Sequence, residues 1–263
     1  MVRSRLDAEL VRRGLARSRE AATDLIEARV VLVSGMPATK PATQVDGETS
    51  IVIAEDRDEF VSRGGHKLAG ALAVFSSLSV EGKLALDAGA STGGFTDVLL
   101  RQGASEVIAV DVGYGQLAWE LRQNPRVRIL DRTNVRHLTL ENIGHPVQLV
   151  VADLSFISLT LVLPALVAVT TSDADFLVMV KPQFEVGREK LGAGGVVRDP
   201  ALRLAAIEEV ARSAWEMGLG VEGVTASPLP GPSGNVEYFL WLRRASAQLS
   251  RERAEIAISE GPR

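Results

Sequence analysis

The sequence contains no cysteine, which excludes disulfide bonds, thiolate metal sites and cysteine nucleophiles together. Long apolar runs are missing too. The longest, residues 159–169, is broken by Pro164 and is shorter than the roughly 20 residues that a membrane-spanning helix needs. The N-terminus carries charges where a secretory signal needs an apolar core. We therefore expect a cytoplasmic protein with no bound metal and no membrane association.

A basic overall balance is also absent, because the net charge of the chain is -4. Considered alone, this charge argues weakly against nucleic-acid binding. The average hides a basic N-terminal segment, in which the only acidic residues are Asp7 and Glu9 and the basic residues are Arg3, Arg5, Arg12, Arg13, Arg17 and Arg19. So few acidic partners favour a phosphate-binding surface over the alternative, a solvated helix face.

The first 55 residues or so have the pattern of a small α+β unit. Leu6, Leu10 and Val11 predict an amphipathic helix ending at Gly14, and Ser18 can cap a second helix. Short β-branched runs at Val30–Val33 and Ile51–Ile53 predict strands. An acidic stretch, residues 55–59, is typical of a linker between domains.

After Lys83, strand-like segments alternate with helical ones, which predicts a mainly parallel sheet with helices on both faces. Only a turn separates the last two of seven strands, so these two should form an antiparallel hairpin. This pattern resembles the Rossmann-like, seven-stranded α/β fold of class I methyltransferases. The predicted strands are Leu84–Ala88, Val107–Asp111, Val127–Leu130, Val147–Asp153, Phe176–Lys181, Val221–Ala226 and Val236–Leu242.

A glycine-rich turn follows the first of these strands, where α/β proteins commonly bind nucleotides. Ser91 replaces the second glycine of a dinucleotide-binding fingerprint, so the turn is poorly shaped for a pyrophosphate. Asp87 would repel a phosphate but attract the cationic amino group and sulfonium of S-adenosylmethionine. The predicted contacts in this turn are Asp87, Gly89, Ser91, Gly93 and Phe95.

The second strand ends at Asp111, where a carboxylate can accept hydrogen bonds from both ribose hydroxyls of an adenosine. Val112, Gly113 and Tyr114 would border the adenine. The alternative is that Asp87 and Asp111 only cap the helices that follow them. Together with the glycine-rich turn, the two carboxylates favour a site for S-adenosylmethionine.

Several blocks of the chain resemble the TlyA family of ribosomal RNA 2′-O-methyltransferases, once labelled haemolysins. The resemblance implies an S4-type RNA-binding domain at 1–58, a linker at 59–64 and a methyltransferase domain at 65–263. At position 60 phenylalanine stands where a tryptophan is expected. The matching blocks are residues 10–18, 62–68, 87–95, 111–117, 152–158, 181–187 and 227–238.

The resemblance further implies a catalytic tetrad of Lys67, Asp153, Lys181 and Glu237. A ribose hydroxyl is a weak nucleophile, so methyl transfer needs a base or a cation that stabilises the oxyanion. Lys181 is the predicted base, Lys67 the neighbouring cation, and Asp153 the group that orients Lys181 and faces the sulfonium. Glu237 would hydrogen-bond the lysines or the ribose. The alternative is that these residues are merely polar strand ends and a helix cap.

Two features that the sequence lacks restrict which kind of atom can accept the methyl group. Amino-group methyltransferases commonly carry an Asn/Asp-Pro-Pro-aromatic block at the position that here begins at Asp153, and carbon-5 methylation of pyrimidines needs a cysteine. Ribose oxygen therefore remains the preferred acceptor. Phe156 either stacks on a flipped base or belongs to the core.

The expected partner is ribosomal RNA within ribosomal subunits, and the resemblance implies a cytidine of 16S or 23S RNA as the target. A non-catalytic RNA-binding scaffold and a membrane-lytic protein are weaker alternatives. We expect a monomer. The predicted RNA contacts are Arg3, Arg5, Arg13, Arg17, Arg19 and Lys40, followed by Arg132 and Arg136.

Overall fold

A computed structural model describes residues 3–28, 30–53, 60–231 and 233–262. It divides the chain into two compact units, Met1–Glu59 and Phe60–Arg263. The predicted acidic linker at 55–59 lies outside the described residues. Phe60 is buried in the second unit, and Arg63 and Gly64 already belong to its first helix. The described part of the predicted 59–64 linker is thus folded.

The N-terminal unit packs two helices over short strands. Ser18 caps the second helix by accepting a hydrogen bond from the Ala21 amide, as predicted. Apolar side chains from both helices and the strands form its core, including Leu6, Leu10, Ile26 and Val31. Its elements are β1 (Ser4–Arg5), α1 (Leu6–Arg12), α2 (Arg19–Glu27), β2 (Val31–Val33), β3 (Met36–Pro37), β4 (Gln44–Val45) and β5 (Ile51–Ile53).

The second unit is built on a seven-stranded sheet. Its strands are β6 (Leu84–Ala88), β7 (Glu106–Val110), β8 (Val127–Leu130), β9 (Val147–Ala152), β10 (Thr170–Val180), β11 (Leu219–Ala226) and β12 (Tyr238–Arg244). They lie in the order β11-β12-β10-β9-β6-β7-β8. Strands β6 to β10 pair in parallel, and β12 pairs antiparallel with both β10 and β11. The predicted sheet and its terminal hairpin are confirmed.

Helices cover both faces of this sheet, because its central strands are apolar on both sides. One buried cluster contains Leu86, Val150 and Leu163, and the other contains Leu99, Leu149 and Phe239. The helices are α3 (Arg63–Val74), α4 (Gly94–Arg101), α5 (Trp119–Arg122), α6 (Leu140–Ile143), α7 (Leu159–Ala168), α8 (Pro182–Glu185), α9 (Pro200–Glu216) and α10 (Arg251–Glu260).

Among the residues that the structure describes, no helix has both the length and the apolar character needed to cross a membrane. Within those same ranges, no group of three His, Asp or Glu side chains is arranged to hold a metal ion.

Candidate active site

The glycine-rich turn between β6 and α4 is shaped by two residues that must be glycine. Gly89 has a φ of +88°, and a Cβ there would lie 2.7 Å from the carbonyl oxygen of Asp153. Gly93 has a φ of +102°, and its Cβ would meet the side chain of Leu121 at 2.2 Å. Larger residues would therefore clash at both positions while also adopting a strained backbone. The turn leaves a groove above the carboxyl end of β6.

Asp111 is fixed at the end of β7 by backbone amides. Its carboxylate accepts hydrogen bonds from the amide of Ser91 at 2.9 Å and from the amide of Gly113 at 2.7 Å. It does not cap the helix that follows. The carboxylate remains half-exposed on a cavity wall, where it can accept further hydrogen bonds from ligand hydroxyls.

Asp87 does not line the groove, although the sequence predicts that it contacts the cofactor. It has no solvent exposure and lies on neither cavity wall described below; Thr96 donates a hydrogen bond to its Oδ2 at 2.6 Å. Its Oδ1 is buried without a hydrogen-bond partner. Burial raises the pKa of Asp87 to about 7, although the hydrogen bond from Thr96 opposes this shift. The carboxyl group therefore lies beneath the turn, where little stabilises its ionised form.

Two adjoining cavities follow the glycine-rich turn. The larger, of about 530 Å³, is lined by Asp111 and Val112 on one side and by Phe156 on another. The smaller, of about 240 Å³, is lined by Phe95, Lys67 and Lys181. The residues common to both walls are Gly89, Ser91, Asp153 and Ser155. One groove thus runs from Asp111 to the two lysines, which suits a long ligand with an adenosine at one end.

The lysines of the smaller cavity are each paired with a carboxylate. Lys67, on α3, donates to Oε2 of Glu237 at 2.6 Å, and both side chains are buried. Lys181, directly after β10, lies 2.6 Å from Oδ1 of Asp153. The fold therefore brings all four predicted tetrad residues to one end of the sheet. Asp153 does not cap α7, whose N-terminus is capped by Ser158.

Phe156 is a surface residue, and the alternative that it belongs to the core is wrong. Its side chain is 91% exposed. Its φ of 64° is rare for a bulky residue and costs backbone strain, which functional sites commonly retain. The ring of Phe184 packs against it with the ring centroids 5.1 Å apart. An aromatic surface therefore stands beside the cavity.

Several polar residues of the site were missed by the sequence analysis. Ser155 accepts a hydrogen bond from Lys181 Nζ at 3.0 Å, and Gln183 lies 3.5 Å from Oε1 of Glu237. Asn134 lines the larger cavity. Ser155 and Gln183 each follow a tetrad residue by two positions, and this proximity was the signal available in the sequence.

The expectation that the N-terminal arginines have few acidic partners is wrong, because two carboxylates form ion pairs with four of them. Asp7 pairs with Arg5 at 3.0 Å and with Arg19 at 2.8 Å. Glu9 pairs with Arg12 at 2.5 Å and with Arg13 at 2.7 Å. The hydrogen bonds from these arginines hold the pKa of both carboxyls well below the ordinary range.

The remaining predicted RNA contacts differ in how far they are engaged. Arg17 and Lys40 are exposed, and within the described residues their side chains make no hydrogen bond or ion pair. Arg3 is exposed as well and has an electrostatic contact with Asp46. In the second unit, Arg132 lies over the ring of Tyr114 at 4.3 Å. Tyr114 was expected to border the adenine, but it is not among the residues that line the larger cavity. Arg136 is exposed.

Phe60, which stands where a tryptophan is expected, packs within the second unit. Phe60 packs edge-on against the ring of His66 at 5.1 Å, and the guanidinium of Arg101 lies 5.2 Å above its ring. A Cβ on Gly65 would lie 2.3 Å from Phe60, so the absence of a side chain there makes room for the ring. Phe60 therefore packs closely on α3.

Known proteins resemble the chain over both units. The family described as FtsJ-like methyltransferase matches residues 60–244, and the S4 domain family matches residues 4–51. The 16S/23S rRNA (cytidine-2′-O)-methyltransferase TlyA of Mycobacterium tuberculosis is 60% identical, with 99% of each chain covered.

Solved structures agree. A Streptococcus thermophilus protein named as a hemolysin superposes with a TM-score of 0.78 at 38% identity, covering 99% of this chain and 96% of that one. A Lactococcus lactis protein, also named as a hemolysin, gives a TM-score of 0.73 at 41% identity, covering 76% and 97%. The chain therefore belongs to the TlyA family, and it joins an S4 domain to an FtsJ-like methyltransferase domain.

Proposed function

We propose that the protein transfers a methyl group from S-adenosylmethionine to the ribose 2′-hydroxyl of a cytidine in ribosomal RNA. The observation that carries this proposal is the meeting of two lysine–carboxylate pairs, the buried pair Lys67–Glu237 and the partly exposed pair Lys181–Asp153, at one end of a groove. The M. tuberculosis relative is named for the same reaction on 16S and 23S RNA, which supports the choice of substrate.

The groove fits the proposed cofactor in shape and charge. Asp111 would accept hydrogen bonds from the ribose hydroxyls, and Val112 would cover the adenine. Asp153 lies on both cavity walls, so its carboxylate would face the cationic centre and favour its binding. Asp87 would add negative charge from beneath the turn. When bound, S-adenosylmethionine supplies an electrophilic methyl group.

One lysine would accept the proton of the attacking hydroxyl, and the other would stabilise the negative charge on its oxygen. In its neutral amine form Lys181, held by Asp153 and Ser155, would take the hydroxyl proton as the oxygen–methyl bond forms. Lys67 would stabilise negative charge on that oxygen while Glu237 keeps the lysine in place. The hydroxyl would lose one proton to Lys181 and gain the methyl group that S-adenosylmethionine supplies.

Phe156 would supply a stacking surface for the base of the target nucleotide. A ribose in a helical site is reached only when its nucleotide leaves the stack, and exposed aromatic rings commonly receive such bases. Phe156 is exposed and lines the groove, and Phe184 supports its ring. The strained backbone at Phe156 is consistent with a functional constraint.

The S4 domain would position the enzyme on folded RNA through phosphate contacts. Arg17 and Lys40, which are exposed and unpaired within the described residues, are the strongest candidates, joined by Arg3. Arg5, Arg13 and Arg19 would act from within their ion pairs, and Arg132 and Arg136 would add contacts from the second unit. We infer that the protein works as a monomer in the cytoplasm.

Transfer of a labelled methyl group to ribosomal subunits that lack the modification tests this function. Lys181→Ala should lower the rate at least about a hundredfold, since a general base contributes that much or more. Lys83→Ala is the matched control, because Lys83 also pairs with a buried carboxylate, Asp175 at 2.7 Å, but precedes the sheet at the opposite end of β6. It should retain the wild-type rate in protein that remains folded.

Mass spectrometry of the product separates the alternatives. Label on a cytidine ribose that disappears in Lys181→Ala would support the proposal. Label on a base would contradict the assigned roles of the tetrad. No transfer to either subunit by the wild-type protein would favour the non-catalytic scaffold.

A further inference from the structure

Two segments that carry the proposed catalytic groups lie side by side at the carboxyl ends of the neighbouring strands β9 and β10. One is the loop 153–158 that leads into α7, and the other is the segment 181–185 that contains α8. Lys181 joins them at one end through Asp153 and Ser155. The rings of Phe156 and Phe184 join them in the middle.

Glu185 closes the far end of this pair of segments. Its Oε2 accepts a hydrogen bond from the Ser158 hydroxyl at 2.5 Å, and its Oε1 accepts one from the Leu159 amide at 2.9 Å. The Leu159 amide is the first of α7, so the carboxylate also lies at the positive end of that helix. The 153–158 loop is thereby held between Lys181 at its start and Glu185 at its end.

We infer that Glu185 is a positioning residue for the target nucleotide, which fixes the Phe156 loop against α8 so that the aromatic surface keeps its place. The inference rests on the proposed function and adds a residue to which no role was assigned. Glu185 lines neither cavity, so it acts through the loop and not on the reacting atoms.

The strained backbone of Phe156 is the physical reason why the loop needs Glu185 to hold it in place. A bulky residue at a φ of 64° is disfavoured, so the loop will relax unless its surroundings hold it. Ser158 already accepts a hydrogen bond from the Thr160 amide, which helps to cap α7. Because the helix has this second cap, the loss of Glu185 should release the loop while leaving the fold intact.

The chemistry of the contact distinguishes two substitutions. Burial raises the pKa of Glu185, although the hydrogen bond from Ser158 opposes this shift, so an uncharged group is well suited to the position. In Glu185→Gln, the amide oxygen can accept from Leu159 and the amide nitrogen can donate to the Ser158 oxygen. Glu185→Ala removes both hydrogen bonds. The conservative variant should therefore rescue what alanine loses.

The test measures methyl transfer to ribosomal subunits and, separately, the affinity for S-adenosylmethionine by calorimetry. Glu185→Ala should lower kcat/KM for the subunits about tenfold, as expected for a misplaced reactive group, while the cofactor Kd stays within about twofold. Glu185→Gln and the control Glu255→Ala, on the exposed face of α10, should both stay near wild type. Thermal melting verifies that each variant is folded.

A double-mutant cycle with Phe156→Ala separates positioning from general support. If Glu185 acts by holding Phe156, its replacement by alanine should cost less than about twofold once Phe156 is already alanine. An unchanged tenfold loss in that background, or wild-type activity of Glu185→Ala, would overturn the inference. If Glu185→Ala does not fold, Ser158→Ala removes one of the same hydrogen bonds and should give a smaller loss of the same kind.

The outcomes also separate this inference from the proposed function. If wild-type protein transfers no methyl group, the function fails before Glu185 is considered. If wild type is active, Lys181→Ala is inactive and Glu185→Ala equals wild type, the function stands and the positioning role is wrong.

Discussion

Asp87 is a single acidic residue whose burial costs stability. It is buried with one unpartnered oxygen, and its only side-chain hydrogen bond is to Thr96 among the described residues. A buried carboxylate without a cation nearby is costly to ionise. Its position beneath the glycine-rich turn fits the proposed function, in which the cation of S-adenosylmethionine would supply the missing positive charge.

The raised pKa of Asp87, about 7, predicts how stability depends on pH. Between its ordinary value near 4 and 7, the folded chain keeps a proton on Asp87 that the unfolded chain has released. The free energy of unfolding should therefore fall as the pH rises through this window and level off above it. From pH 5.5 to 7.5, Asp87 should contribute a decrease of about 2 kcal/mol at most.

Urea unfolding of the ligand-free protein at several pH values measures this slope. Asp87→Asn cannot ionise, so its curve should lack the decrease, whereas Asp131→Asn should keep it. A slope that is the same in wild type and Asp87→Asn would show that Asp87 is ionised throughout the window. S-adenosylmethionine should reduce the decrease in wild type, since a cation stabilises the carboxylate.

At the scale of elements, the two N-terminal helices use their arginines in two ways. Arg13, at the end of α1, pairs with Glu9 and donates to the carbonyl oxygens of Thr49 and Asp46 at 2.8 and 2.9 Å. It thus ties α1 to the turn between β4 and β5. Arg17, between the two helices, is exposed and unpaired within the described residues.

These two arginines should respond differently to replacement by alanine. Arg13→Ala should lower the stability of the N-terminal unit by about 2 kcal/mol, since charged hydrogen bonds to backbone are lost. Arg17→Ala should leave stability unchanged and weaken RNA binding. Hydrogen exchange of the α1 amides and filter binding to ribosomal RNA measure the two effects. Equal losses of RNA affinity with no change in exchange would contradict the division.

The whole molecule carries a net charge of -4, so RNA binding must depend on local clusters of basic residues. Binding through phosphates releases counterions, which makes the affinity fall steeply with salt. We expect such a fall for the full chain, and a slope smaller by about one in Arg17→Ala and in Lys40→Ala.

Titration of subunit binding between 50 and 300 mM salt measures this slope. Cofactor affinity should change little over the same range, because S-adenosylmethionine has no phosphates whose counterions binding would release. A control variant, Arg253→Ala on α10, should keep the wild-type slope. A slope that no N-terminal substitution alters would place the phosphate contacts in the methyltransferase domain.

The sequence alone predicted the two kinds of unit, the seven strands with their final hairpin and the glycine-rich turn, and the family resemblance implied the four tetrad residues, whose catalytic role stays a prediction. These features are readable because strand periodicity, helix caps and glycine turns are local signals, and because the family's blocks are continuous in sequence. Ser18 illustrates the point, since its cap depends on residues only three positions away.

Only the tertiary structure decided where side chains meet. Asp7 and Glu9 each gather two arginines, Asp87 lies beneath the turn, and Phe156 faces solvent at a strained φ. Lys67 and Glu237 are 170 positions apart in sequence, and their contact depends on how α3 packs beside the start of β12. Burial, pairing and strain arise from such long-range packing, which the local pattern of residues does not contain.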